Sequence, residues 1–148
     1  MKWVTRARPK TDRIACPWLI RRFIDPDAEF LYVPTEQVLD VATTEQGRSF
    51  DTAGADYTHR GNQCSFEVLI DDYHLGHDPA LVRLAAIVHA ADIDSEQHTD
   101  PLGPGLLAIG IGGLDVEGDD HTLLHRAMFV YDALYAWCQK HPELSAAS

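Results

Sequence analysis

The spacing of apolar residues changes character part-way along the chain. In the first third, apolar residues come in short runs closed by proline or glycine. Trp3-Val4-Thr5 reads as a short strand bounded by Pro9, and Ala28 to Pro34 (AEFLYVP) as a buried strand ended by its proline. Arg48 to Thr52 (RSFDT) gives a third, brief strand. Between the first two, Cys16, Leu19, Ile20 and Phe23 repeat as one buried helical face. Pro17 suits the first position of that helix, which runs to about Phe23, and Asp12 can cap a turn before it. Thr35 predicts the cap of a short amphipathic helix that stops at Gly47. A stretch rich in Gly, Asp and Asn, AGADYTHRGNQ, is loop.

From Cys64 onward the period is helical. Phe66, Leu69, Ile70 and Tyr73 share one side of a helix from Cys64 to about Asp72. Asp78 caps a longer helix with Pro79 at its first position and Leu81, Leu84, Ala85 and Val88 as its stripe. PLGPGLLAIGIGGL is apolar but holds five glycines, which predicts an irregular buried helix. The last helix, from about Asp119 to Lys140, has the best-defined apolar face and is closed by His141-Pro142. No repeat, linker or low-complexity segment interrupts the chain. The expectation is a single α+β domain over 1–148: a small N-terminal sheet of about three short strands packed against a helical C-terminal half.

A length of 148 residues is enough to bury a core without staples. No apolar run reaches the roughly 18 residues of a spanning helix, and no secretory signal opens the chain. Three widely spaced cysteines argue against a disulfide framework and fit a cytoplasmic protein. Charge changes the picture more. The net charge is −11, which argues against nucleic acid as a partner of this chain alone. Yet seven of the twelve Lys and Arg residues, with Asp12 as their only acid, lie in the first 22 positions. That segment carries +6 and the remainder −17. Such segregation points to a local anion site or to internal electrostatic contacts.

Arginine forks and lysine ammonium groups are the usual partners of tetrahedral oxyanions. Arg6, at the end of the first strand, and Arg13, just before the helix, can converge on one spot. The alternative is that these cations pair with acidic side chains elsewhere. Cys16 sits in the same field, and its spacing to Arg22 has the C-x5-R form of phosphatase loops. The bulky PWLI between them, and the place of Cys16 on the apolar stripe, favour a buried structural thiol.

Metal-ligand residue types cluster in three places. His59, Cys64 and Glu67 fall within nine residues; His89 precedes Asp92 by three; His121 and His125 are four apart. Asp92 falls on an apolar stripe and so requires a partner. A divalent transition metal (zinc, iron or manganese) held by some of His59, Cys64, Glu67, His89, Asp92 and His121 is one expectation.

The blocks WVTRARPKTDRIACPWLIRRFIDPDAEFLYVP, FDTAGADYTHRGNQCSFEVLI, IVHAADI and YDALYAWC resemble the C-terminal domain of the ChrB-type chromate-resistance family. They run from Trp3 to Cys138, nearly the whole chain. The resemblance implies a stand-alone sensing half of a chromate stress-response regulator, without the family's N-terminal region that touches DNA. It places the response residues at Arg6, Arg13 and His59. With Arg22 and Lys10 as further donors, the expected ligand is a small inorganic oxyanion, chromate or sulfate-like. A homodimer stays open. So does the alternative of a small metalloenzyme, in which His59, Glu67 and His89 hold a metal acting on an anionic substrate or in redox chemistry.

Overall fold

In the computed structural model, which describes residues 1–142, three strands form one parallel sheet in the order β2-β1-β3. The strands are β1 (Lys2–Arg6), β2 (Glu29–Val33) and β3 (Arg48–Ser49). Lys2 pairs with Glu29 and Arg6 with Val33 on one side of β1, and Val4 pairs with Ser49 on the other. Parallel neighbours require crossovers. The first is α1 (Asp12–Leu19), which continues into a π-helical turn at Ile20–Ile24. The second is a 3-10 turn at Thr35–Gln37 running into α2 (Val38–Thr44). With helices on both faces, β1 is buried on both: Trp3, Val4 and Thr5 have almost no exposed surface. Val4 packs under Val38 and Ala42 of α2, while Trp3, Phe30 and Phe50 join the main core.

The helical half comprises α3 (Ser65–Asp72), α4 (Pro79–Asp92), a 3-10 turn (Asp94–Thr99), α5 (Gly103–Val116) and α6 (Asp120–Lys140). The expected α+β architecture is therefore present, and no helix of the described residues is long and apolar enough to cross a membrane. Asp78 caps α4 as its spacing predicts, accepting from the Ala80 and Leu81 amides. In the same way Asp119 accepts from the Thr122 amide at the start of α6. α4 is buried almost all round, packed by α3, α5 and α6. One buried ion pair lies in that interior. Arg83 donates to Asp100 at 2.6 Å, and Asp100 also accepts the Leu102 amide that opens α5.

Several predicted elements differ in detail: Thr35 lies within the 3-10 turn and makes no cap bond to α2, and β3 stops at Ser49 rather than reaching Thr52. α1 begins at Asp12 rather than at Pro17, which lies inside it. The first turn is closed instead by the Thr11 carbonyl, which accepts from both Ile14 and Ala15. The proline's missing donor falls shortly before the π-helical turn, where the Asp25 amide reaches back to the Ile20 carbonyl. The glycine-rich segment is a regular helix, and much of it is exposed: only Gly103 and Leu106 are buried, while Ile109 and Val116 are 55% and 72% exposed. Its glycines serve close approach on one face. A methyl group at Gly103 would lie 2.5 Å from the Ala90 Cβ, whereas one at Gly112 would meet nothing within 4 Å.

Those two positions separate contact from propensity. Gly103→Ala is expected to lower unfolding stability by ~1–3 kcal/mol through overpacking against α4. Gly112→Ala is expected to raise it by ~0.5–1 kcal/mol through helix propensity. Denaturant unfolding of both variants gives the comparison, and equal effects of the same sign would contradict the packing described.

Candidate functional site

The amino end of α3 organises the polar interior. Its cap position is Cys64, a side chain poorly suited to that role. The Cys64 amide donates to Glu67 Oε1 at 3.0 Å, but the next two amides look elsewhere. Ser65 N–H and Phe66 N–H donate to the two oxygens of Asp12, at 2.7 and 3.1 Å. Asp12 comes from α1, so it caps a helix more than fifty residues away rather than its own turn. The carboxylate has no exposed surface. Two amide donors and the positive end of α3 make that burial tolerable. Burial still raises its pKa.

Two more carboxylates gather beside it. Asp51 follows β3 with a left-handed backbone (φ 51°), a conformation Asp tolerates better than most residues. Its Oδ1 accepts from Ser65 Oγ at 2.8 Å, and its Oδ2 faces Arg6 Nη2 at 3.4 Å and Arg13 Nε at 3.5 Å. Arg6 Nε also donates to the Asp51 carbonyl at 3.0 Å. Asp92 closes α4. His59 lies over all three acids, with Nε2 at 3.0 Å from Asp92 and 3.6 Å from both Asp12 and Asp51. A turn at Gly61, closed by reciprocal backbone bonds between Arg60 and Gln63, holds its loop in place. Arg60 is tied in turn to Asp72 by two bonds of 2.8 Å.

The electrostatics follow from this crowding. The close carboxylates of Asp12 and Asp51, with the charge of Asp92 beside them, push the His59 imidazole up to about 10, so it is a cation at neutral pH. Burial, then the charges of Asp12 and Asp51, pushes Asp92 up to about 7. Burial and the neighbouring Arg6 lower the pKa of Arg13. Above the acids opens a cavity of about 210 Å³, lined by Arg6, Lys10, Arg13 and His59 together with Asp51, Asp92 and Asp94. Thr11 also lines it, and its buried Oγ1 has no hydrogen-bond partner among the described residues.

The structure thus brings together Arg6, Lys10, Arg13, His59 and Asp92 of the expected site residues. It does not bring Arg22, which pairs bidentately with Asp132 on α6 at 3.0 and 2.9 Å. The other early cations are also spread out. Lys2 binds Glu45, Arg21 lies over Phe30, and Arg8 donates to the Leu114, Glu117 and Gly118 carbonyls and to Asp120. His121 stands edge-on to Tyr32, apart from both acid-histidine groups. Cys16 is fully buried, and burial with nearby Asp12 and Asp51 drives its pKa well up, opposite to a reactive thiolate. His89 does not pair with Asp92. Its Nδ1 lies 2.6 Å from Glu67 Oε1, and Cys64, Glu67 and His89 form a second group whose candidate ligand atoms lie within 4.8 Å of one another. Asp51 carries no functional signal in the sequence, which places it in the third predicted strand, and Asp12 is marked there only as a turn cap and the lone acid among cations.

Comparison with known proteins bears on the assignment. Residues 3–138 match the family described as ChrB, C-terminal domain. Protein ChrB of Cupriavidus metallidurans is 38% identical over 134 residues, which is 90% of this chain and 40% of that protein. No solved structure matches the chain. A family match across nearly every described residue, with a relative at this identity, leads to one conclusion: the chain belongs to the ChrB C-terminal domain family.

Proposed function

We propose that this domain receives a doubly charged tetrahedral oxyanion of the chromate and sulfate type, as the sensing element of a chromate-resistance system. The observation that carries the reading is the single cavity faced by Arg6, Lys10, Arg13 and His59. What matters there is which groups are already committed. Both oxygens of Asp12 accept α3 amides, and Asp51 is engaged by Ser65, Arg6 and Arg13. The donors are less fully used. Arg6 spends Nε and Nη2 on Asp51, Arg13 spends Nη1 on the Ala7 carbonyl, and no side chain of the described residues engages Lys10. Arg6 Nη1, Arg13 Nη2 and Lys10 Nζ therefore remain for a ligand, with the His59 cation beside them. The acids hold this cluster of positive groups together without neutralising every donor. A volume of about 210 Å³ accommodates an anion with part of its hydration, since one water occupies about 30 Å³ of liquid.

Calorimetric titration of sulfate and of chromate tests this directly. Each charge-assisted bond contributes about 1.5–3 kcal/mol, so Arg13→Ala or Arg6→Ala is expected to weaken binding by roughly 10- to 100-fold. Arg22→Ala, whose side chain is held by Asp132, is expected to leave affinity unchanged. Equal affinity in all three variants and the parent would remove the proposal.

The same site makes a statement about pH. Asp92 gains its charge as pH rises through about 7, while His59 stays protonated to about 10. A new negative charge in the cavity opposes an anion, so sulfate affinity is expected to fall as pH rises through about 7. Asp92→Asn should flatten that fall. A fall that persists unchanged in this variant would show that another group, such as His59, titrates there.

A further inference from the structure

The Cys64–Glu67–His89 group lies outside the anion cavity and has no part in the oxyanion reading. We infer that it is a binding site for a divalent transition metal of the zinc type, with Cys64 Sγ, a Glu67 carboxylate oxygen and a His89 ring nitrogen as ligands. A thiolate, an imidazole and a carboxylate together are the donor mix of zinc and its neighbours; magnesium and calcium take oxygen alone.

Three observations converge on the site. The candidate ligand atoms lie within 4.8 Å of one another, brought together by the start of α3 and the last turns of α4. Cys64 holds the cap position and its side chain accepts from the Glu67 amide, yet a thiol is a weak acceptor where a cap favours Ser, Thr, Asp or Asn, and the Ser65 and Phe66 amides go to Asp12 instead. The Glu67 carboxylate is also oriented before any ion arrives, by the Cys64 amide at 3.0 Å and His89 Nδ1 at 2.6 Å. Tetrahedral ligands at ~2.0–2.1 Å from a metal stand ~3.3 Å apart, so the carboxylate must withdraw from the imidazole by less than ~1 Å. Glu67 is 25% exposed at its side chain, which leaves room for that movement.

Three protein ligands leave a fourth tetrahedral position for water. Binding replaces the thiol proton of Cys64, while the His89 ring keeps its one proton on the nitrogen that does not hold the metal, so metal uptake releases the thiol proton to solvent. Burial and the Asp12 charge otherwise keep this thiol protonated.

Cobalt(II) is the probe, because a thiolate ligand gives it a near-ultraviolet charge-transfer band that oxygen and nitrogen ligands do not. The 148-residue chain, stripped with chelator, is titrated with cobalt(II), then with zinc(II). The expected result is one cobalt per chain with the charge-transfer band, displaced by zinc. Cys64→Ser should lose the band. His89→Ala should weaken binding by more than the roughly 10- to 100-fold that outer-shell changes cause. His121→Ala should behave as the parent. The site is overturned if the parent shows no charge-transfer band in excess cobalt, or if the band survives in Cys64→Ser.

Discussion

The capping of α3 by Asp12 is the interaction on which the polar interior depends. A carboxylate with no exposed surface is costly unless its oxygens are occupied, and here two backbone amides occupy them. The bond joins the start of the sheet-and-crossover half to the start of the helical half. It also fixes where Ser65 lies, and through Ser65 Oγ it places Asp51. With Asp12, Asp51 and Asp92 gathered so closely, a charged His59 and the two arginines are the compensation the cluster requires. The cationic face of the cavity is thus a consequence of the acids beneath it.

The segregation of charge along the chain resolves into two tasks. Arg6, Lys10 and Arg13 face the cavity. The others tie elements together. Arg8 caps the carboxyl end of α5 by donating to the Leu114 carbonyl in its last turn and to the Glu117 and Gly118 carbonyls just beyond it, and Arg22 joins the π-helical turn to α6 through an Asp132 that also accepts from Trp18. Both readings of the basic opening therefore describe part of it. A positive residue near a helix end or opposite a lone acid becomes a tether, and only those at the end of β1 and the start of α1 share one space.

Much of the fold was legible because local rules and tertiary packing agree there. Asp78 followed by Pro79, the stripe of α6 and the proline-bounded strand at Glu29–Val33 each carry a signal within a few residues. The departures occur where distant partners decide. Thr11 and Asp12 start α1 early because bonds to their own turn and to α3 hold them, which Pro17 alone does not reveal. The glycines of α5 looked like breakers, but Gly103 is there to admit Ala90. In the site, the stripe of α4 marked Asp92 as a buried acid in need of a partner. Sequence distance favoured His89, whereas the fold supplies His59 from a loop more than thirty residues away. Asp51 was invisible for the same reason, since nothing local shows that its loop returns to the start of α3.

The central claim is that the uncommitted donors of Arg6, Lys10 and Arg13 meet one tetrahedral oxyanion above the three aspartates. Anomalous diffraction from crystals soaked in selenate, a sulfate-shaped anion with a heavier centre, locates such an ion without assumption. The account predicts one strong selenium peak in the cavity, with oxygens within hydrogen-bonding distance of Arg13 and Lys10. Selenate bound only beside outlying cations such as Arg22, with the cavity empty, would contradict it.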